Sequence, residues 1–332
     1  MAIRPGLNIF MMSKLAPIPF FSHLFPLLAF GISLVCLPVH SAVVTLDADD
    51  SGNSSFATAG NWDDNQAPQA GNDYYTNGFR LEVPNDNNDY TFGGDSLTIN
   101  NSNWAVIAGT TRVLTVNDLI LDNANLQTGT SGRDLNLDGN VTVAGNSSLQ
   151  TIRASVNFLA AVGGSAELRI YNRQAANDPT VTFLSSANTF TGDIDVDVGH
   201  FTLADNARMN FVIGASSGVN NEIYDSSAAS STSIVDLDGD FYFDLSSAST
   251  TQGDFWNIVD LASLGASNVT FGETFSVNGF SNSGTLWTSG YYAFDESTGT
   301  LSVIPEPSSA TMILLAGCGV TVVVCGRRRS VS

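Results

Sequence analysis

Short extended segments with two apolar side chains on one face return along the chain at nearly even steps, and this repeat limits the fold more than any other feature. Leu114-x-Val116, Leu135-x-Leu137, Val156-x-Phe158, Val181-x-Phe183 and Phe201-x-Leu203 follow Leu97-x-Ile99, with polar residues such as Thr98, Asn136 and Asn157 on the opposite face. The starts at 114, 135 and 156 are 21 residues apart, and the next two steps are 25 and 20. Three residues cannot bury their own apolar face, so a period near twenty predicts stacked coils that cover one another. Asp138-Gly139, Gly163-Gly164 and Thr128-Gly129 supply turn signals between them. The expected fold is all-β, a parallel β-helix or solenoid over residues 97–214. Alternation alone does not fix strand direction, so an antiparallel β-sandwich of jelly-roll type is the alternative.

Asn188-Thr189-Phe190-Thr191-Gly192-Asp193, leading into Gly199-His200-Phe201-Thr202-Leu203, resembles the autotransporter-associated β-strand repeat of extracellular β-solenoids. Upstream, Gly60-Asn61-Trp62, then Ala67 to Asp73, then Thr91 to Ile99, resemble the opening of secreted bacterial β-solenoid proteins. That resemblance implies an N-terminal β or cap segment over 43–96, with Trp62 packed on the first coil. Residues 215–232 are rich in Ser, Ala and Asn without apolar periodicity and read as a linker. The aromatic-rich stretch 233–303 reads as a C-terminal β unit closing the solenoid's open edge, and Asp238-Gly239 predicts a hairpin between Ile234-Val235 and Phe241–Phe243.

The two ends are of another kind. Residues 1–42 read as a signal peptide: Arg4 and Lys14 in a polar region, an apolar run from Phe20 to Leu37, then Val39-His40-Ser41, with cleavage expected after Ser41 or Ala42. Residues 304–332 hold Pro305-Glu306-Pro307, an uncharged apolar run of 16 residues from Ala310 to Cys325, and Arg327-Arg328-Arg329. As a single transmembrane helix that run would be about 24 Å long, short for a bilayer, with the arginines holding its end on the cytoplasmic side. In this order and position the three parts resemble the PEP-CTERM sorting signal of Gram-negative and related bacteria. The resemblance implies a membrane-embedded cysteine transpeptidase, exosortase, as partner, cutting near Pro305, Glu306 and Pro307. It also implies a transient inner-membrane anchor and a final place at the cell surface or in the extracellular matrix.

The stretch between the ends has seven arginines, no lysine and 31 of the 32 acidic residues, a net charge of −24. Such a field excludes nucleic acid as a partner and favours solubility or divalent cations. All three cysteines, Cys36, Cys318 and Cys325, lie in the apolar end segments, which leaves the body without thiol or disulfide chemistry. His200, its one histidine, cannot make a zinc site alone, and no Gly-x-Ser-x-Gly elbow accompanies it. Asp47 to Gly52 carries the first half of a calcium loop, but Thr58 stands where the bidentate acid belongs, so a polar turn is expected. Asp193, Asp195 and Asp197 on one strand face, and Asp236, Asp238 and Asp240 around Gly239, could collect calcium or touch a sugar, but read first as solvated outer faces that discourage strand pairing. No catalytic, cofactor-binding or metal residue is assigned, and calcium is the one cation kept open. The expected function is an exported, exosortase-processed surface or matrix protein with a structural or adhesive, non-catalytic role. Its partners would be signal peptidase, the transpeptidase and extracellular polysaccharide. The alternative is a polysaccharide-active enzyme or a calcium-assisted carbohydrate-binding protein on a β-helix.

Overall fold

The computed structural model describes residues 41–51, 54–84, 86, 88–106, 111–129, 134–172, 178–227 and 233–305, all within one compact unit. It is nearly all β, with 47% of residues in strands and 3% in helices. Three sheets of twelve, seven and three strands are parallel throughout, and a five-stranded sheet near the C-terminus is antiparallel. Hydrogen-bonded neighbours in the parallel sheets are a full winding apart. Leu97 lies beside Leu119, Leu119 beside Val141 and Val141 beside Val162. On another side of the winding Leu126 lies beside Leu149, Leu149 beside Ile170 and Ile170 beside Val196. These inward ladders are buried, because in each strand alternate residues turn to the core and the next winding covers what the previous one leaves open. The arrangement fits the expected parallel β-helix, and antiparallel pairing of named strands is confined to the five-stranded sheet.

The register differs from the expected one. Leu114 lies opposite Leu137, and Arg112 opposite Leu135, while Leu97-x-Ile99 belongs to a separate ladder with Leu119-x-Leu121. The cause is a bulge inside strand Arg112–Asp122. Thr115 pairs with Asp138 and Asp118 with Asn140, so Val116 and Asn117 together oppose Gly139. Gly139 has a φ of 92°, and a Cβ there would come 1.8 Å from the Val116 carbonyl oxygen. Asp138-Gly139 is therefore the bend at which strand Leu135–Val143 passes from one flat face to the next. In later windings that bent strand becomes two, Val156–Phe158 with Val162–Gly164 and His200–Leu203 with Arg208–Val212. Asp238-Gly239 does the same work: Ile234–Leu237 and Asp240–Asp244 lie in different sheets, each with parallel partners, and form a corner instead of the expected hairpin. A second corner is made by Asn77, Asn101 and Asn123, with φ of 51°, 52° and 51°, the left-handed conformation asparagine tolerates best after glycine.

The stretch expected as a linker carries a core strand. Ile223–Tyr224 pairs with Ile194–Asp197, Ile223 is fully buried and its N–H donates to the Ile258 carbonyl, while residues 228–232 lie outside the described residues. Both ends of the stack are closed by aromatic rings. At the first windings Trp62 meets Tyr74 edge-on at 4.9 Å, Tyr74 meets Phe92 at 5.2 Å, and the indole N–H donates to the Ser55 carbonyl at 2.7 Å. At the last, Phe294 of the antiparallel sheet lies 5.8 Å from Phe241, 5.9 Å from Phe271 and 6.1 Å from Phe275. Strand Ala42–Thr45 opens the long sheet beside Asn72–Tyr75, so cleavage after Ser41 would leave that strand whole. Among the described residues no helix is long and apolar enough to cross a membrane, and the Ala310–Cys325 run falls outside them.

Candidate functional site

Outward side chains of neighbouring windings come together in a shallow cleft of about 330 Å³ on the three-stranded sheet. Its strands are Arg208–Val212, Asp240–Asp244 and Ser276–Val277. In the first two, Met209, Phe211 and Phe241 turn inward, which leaves Arg208, Asn210 and Val212 outward beside Asp240, Tyr242 and Asp244. Thr189 and Thr191 of the preceding winding complete the wall. The Arg208 guanidinium stacks over the Tyr242 ring at 3.9 Å, and its Nε donates to Asn210 Oδ1 at 2.5 Å. Asn210 is held in turn, its Nδ2 donating to the Asn188 carbonyl at 3.0 Å. Among the described residues no carboxylate lies within 4.0 Å of the Arg208 guanidinium, so this residue of the cleft wall carries no ion pair. Asp244 is exposed at the other end, and hydrogen bonds from Ser246 hold its carboxyl below the usual carboxylate range. The cleft thus sets a donor fork and an ionised acceptor on either side of hydroxyls and an aromatic ring.

Several of the acidic groups singled out in the sequence are used differently from what was expected. Asp195 is buried, not solvated: its carboxylate accepts from Ser226 N at 2.9 Å and Ser226 Oγ at 2.6 Å and lies 3.4 Å from Arg169 Nε. Asp197 pairs with the same guanidinium, and that bond raises the Arg169 pKa. Asp193 accepts from the Glu222 N–H at 2.9 Å, and Glu222 itself has its carboxyl raised, first by burial and then by Asp260 and Asp193. The outer face of this strand is therefore a built polar layer. Around Gly239, Asp236 bonds His200 and Asp240 accepts from Ser276 Oγ.

His200 stands between two carboxylates, with Nδ1 3.2 Å from Asp178 Oδ2 and Nε2 2.8 Å from Asp236 Oδ2. Both ring nitrogens are occupied by acids, which makes it a clamp between windings and leaves neither nitrogen aimed at a hydroxyl nucleophile. Of the Asp47 to Gly52 segment, Asp47 to Ser51 are described and Gly52 lies outside the described residues; the carboxylates of Asp49 and Asp50 are taken up by backbone N–H groups. Asp49 accepts from Arg80 N at 2.7 Å, and Asp50 from Ser55 N and Glu82 N, both at 2.9 Å. Among the described residues no group of three or more His, Cys, Asp or Glu is placed to hold a metal ion. Pro305 is the last described residue and is exposed; Glu306, Pro307, Arg327, Arg328 and Arg329 lie outside the described residues.

Sequence reading passes over Arg208 and Tyr242 because the registers there are 34 and 32 residues apart, as Phe201 beside Val235 and Arg208 beside Asp240 show, well beyond a twenty-residue period. The signal that marks them is alternation: Arg208-x-Asn210-x-Val212 and Asp240-x-Tyr242-x-Asp244 both bracket aromatic inward residues. No protein-family model, curated protein or solved structure matches the chain.

Proposed function

We propose that the chain is an exported parallel β-solenoid whose role at the cell surface or in the extracellular matrix is structural or adhesive and non-catalytic. The observation that carries this reading is how the body spends its polar groups. The carboxylates and the histidine that sequence alone would offer to chemistry are bound within or between windings, as His200, Asp50 and Asp195 illustrate. The inside is a mainly apolar ladder closed at both ends by aromatic rings, with Arg112 at one inward position. A body built this way presents a large acidic surface on a backbone held by ladders, with no disulfide. The signal-peptide pattern at residues 1–42 and the sorting pattern at Pro305, Glu306, Pro307 and Arg327–Arg329 supply the route outward, with signal peptidase and an exosortase-type transpeptidase as partners.

The test has two readings on intact cells and purified protein. An external protease that cannot enter cells should digest the protein in place. The purified protein should release no new reducing ends from neutral or acidic polysaccharides over many hours. Shielding from the protease contradicts the location. Steady release of reducing ends contradicts the non-catalytic role and favours the enzyme alternative.

A further inference from the structure

The Arg208–Tyr242 cleft is not explained by the needs of the fold. A structural arginine on this body finds carboxylates, as Arg80 does with Glu82 and Arg169 with Asp195, or carbonyls, as buried Arg112 does with Pro84 and Asp86. Arg208 instead spends only its Nε on Asn210, while the register partner Asp240 is bonded to Ser276. Its planar group is fixed over an aromatic ring, on the wall of a concavity. Fixing a guanidinium this way removes the rotamer entropy that a ligand would otherwise have to order.

We infer that this cleft binds a neutral oligosaccharide through vicinal hydroxyls. Sugar hydroxyls both donate and accept, and the cleft offers both partners: Arg208 N–H groups to donate, and Asp244, ionised at any physiological pH, to accept. Asp244 lies four residues along the strand from Asp240, the residue opposite Arg208, roughly 13 Å of extended backbone, which is longer than one sugar ring. Thr189 and Thr191 add hydroxyls between, and the half-exposed Tyr242 and Val212 give apolar contact for C–H faces. Charge selects against an acidic glycan. One guanidinium shares the cleft with the Asp244 carboxylate and sits on a body of net charge −24, so an anionic polymer is repelled at long range.

The proposal rests on the reading of an exported, non-catalytic protein, and its test separates the two. Saturation-transfer NMR and calorimetry would be run on the mature protein with cellohexaose, mannohexaose and xylohexaose as neutral probes and hexagalacturonate as the acidic one. At least one neutral chain is expected to bind. Its affinity should change less than twofold between 50 and 500 mM NaCl, and it should fall about tenfold or more in Arg208→Ala and in Asp244→Asn, each of which removes a charge-assisted hydrogen bond. Arg208→Lys should recover only part, since it keeps the charge and loses the planar fork. Melting temperatures of all three variants should stay within a few degrees of wild type, which separates lost binding from lost folding. Binding of no neutral chain, binding undiminished in both variants, or binding of hexagalacturonate alone each overturns the proposal. Cleavage of a bound neutral chain would overturn the non-catalytic reading and leave the site standing.

Discussion

The parallel windings and the antiparallel sheet that follows them bury strands of the same kind by opposite routes. In the windings each interior strand is held by partners twenty or more residues away on both sides, as Val181 is between Val156 and Phe201. In the antiparallel sheet Tyr292 lies beside Ser289 and Val303, and the turns use Gly284, Gly290 and Gly299 at φ of 73°, 57° and 69°. Local pairing closes short loops at little entropic cost, while stacked windings close a long loop for each new ladder and regain that cost only when the next winding covers the last. The antiparallel sheet can therefore form its hairpins early but has one apolar face to hide, and Phe294 and Trp287 hide it on the aromatic floor of the last winding. The segment Phe255–Asn257 links the two modes. It pairs with Thr300–Val303, and two residues later Val259 bridges Ile223 of the seven-stranded sheet. The lesson is that the windings depend on continuity, and the end sheet on one cluster of rings.

The strongest way to break this contrast is Gly139→Val. Any Cβ meets the Val116 carbonyl oxygen at 1.8 Å, and φ is 92°, so the bend shared by two windings cannot form. Loss of more than about 4 kcal/mol is expected, seen as insoluble or molten protein by circular dichroism and yield. Next, Phe183→Ala and Phe294→Ala should each cost about 3–5 kcal/mol, since both rings are fully buried. They should differ in reach under hydrogen exchange. Phe183 touches Phe158 and Phe201 at 5.4 and 5.2 Å, so its loss should expose the windings on both sides, whereas loss of Phe294 should raise exchange in residues 269–303 and leave 112–143 protected. Equal exposure from both variants would erase the distinction.

A smaller effect is electrostatic and belongs to the windings alone. Burial and the acids Asp260 and Asp193 raise the folded pKa of Glu222 above 4.5. The stability this raised value contributes is complete below 4.5 and is lost as pH climbs through the folded pKa, so at pH 7 the charged form is a net cost. Glu222→Gln should melt slightly higher at pH 7, by less than about 1 kcal/mol for a half-exposed group, and the gain should vanish at pH 4. Smallest is Val198→Asn. A β-branched residue at φ of 53° is strained, and asparagine should relieve this at the corner for a net gain of less than about 0.5 kcal/mol once the lost valine packing is counted, read as a rise in the denaturant midpoint with unchanged slope.

Much of this was legible in the chain because period two and period twenty are both written in apolar residues. Leu135, Val156, Val181 and Phe201 lie at inward positions of one ladder, and Trp62 closes the first windings as expected. The exact register was not legible, since a two-for-one bulge at Val116-Asn117 leaves no mark in composition and moves Leu114 from Leu135 to Leu137. Nor could alternation tell which carboxylates face water. Asp195 looks outward by parity, yet Ser226 arrives from 31 residues downstream to cover it. The cleft was hidden for a related reason, because the later windings lengthen and bring Arg208 and Asp240 together across 32 residues.

The central claim is that this body is carried out of the cell and released from a C-terminal address. Intact mass and fractionation of the native protein, from its own cell with and without the transpeptidase, test it most directly. The account predicts loss of the residues after Pro307, and release from the inner membrane, only when the enzyme is present. A full-length C-terminus that stays in the membrane in both strains would contradict it and move the search for function to the membrane.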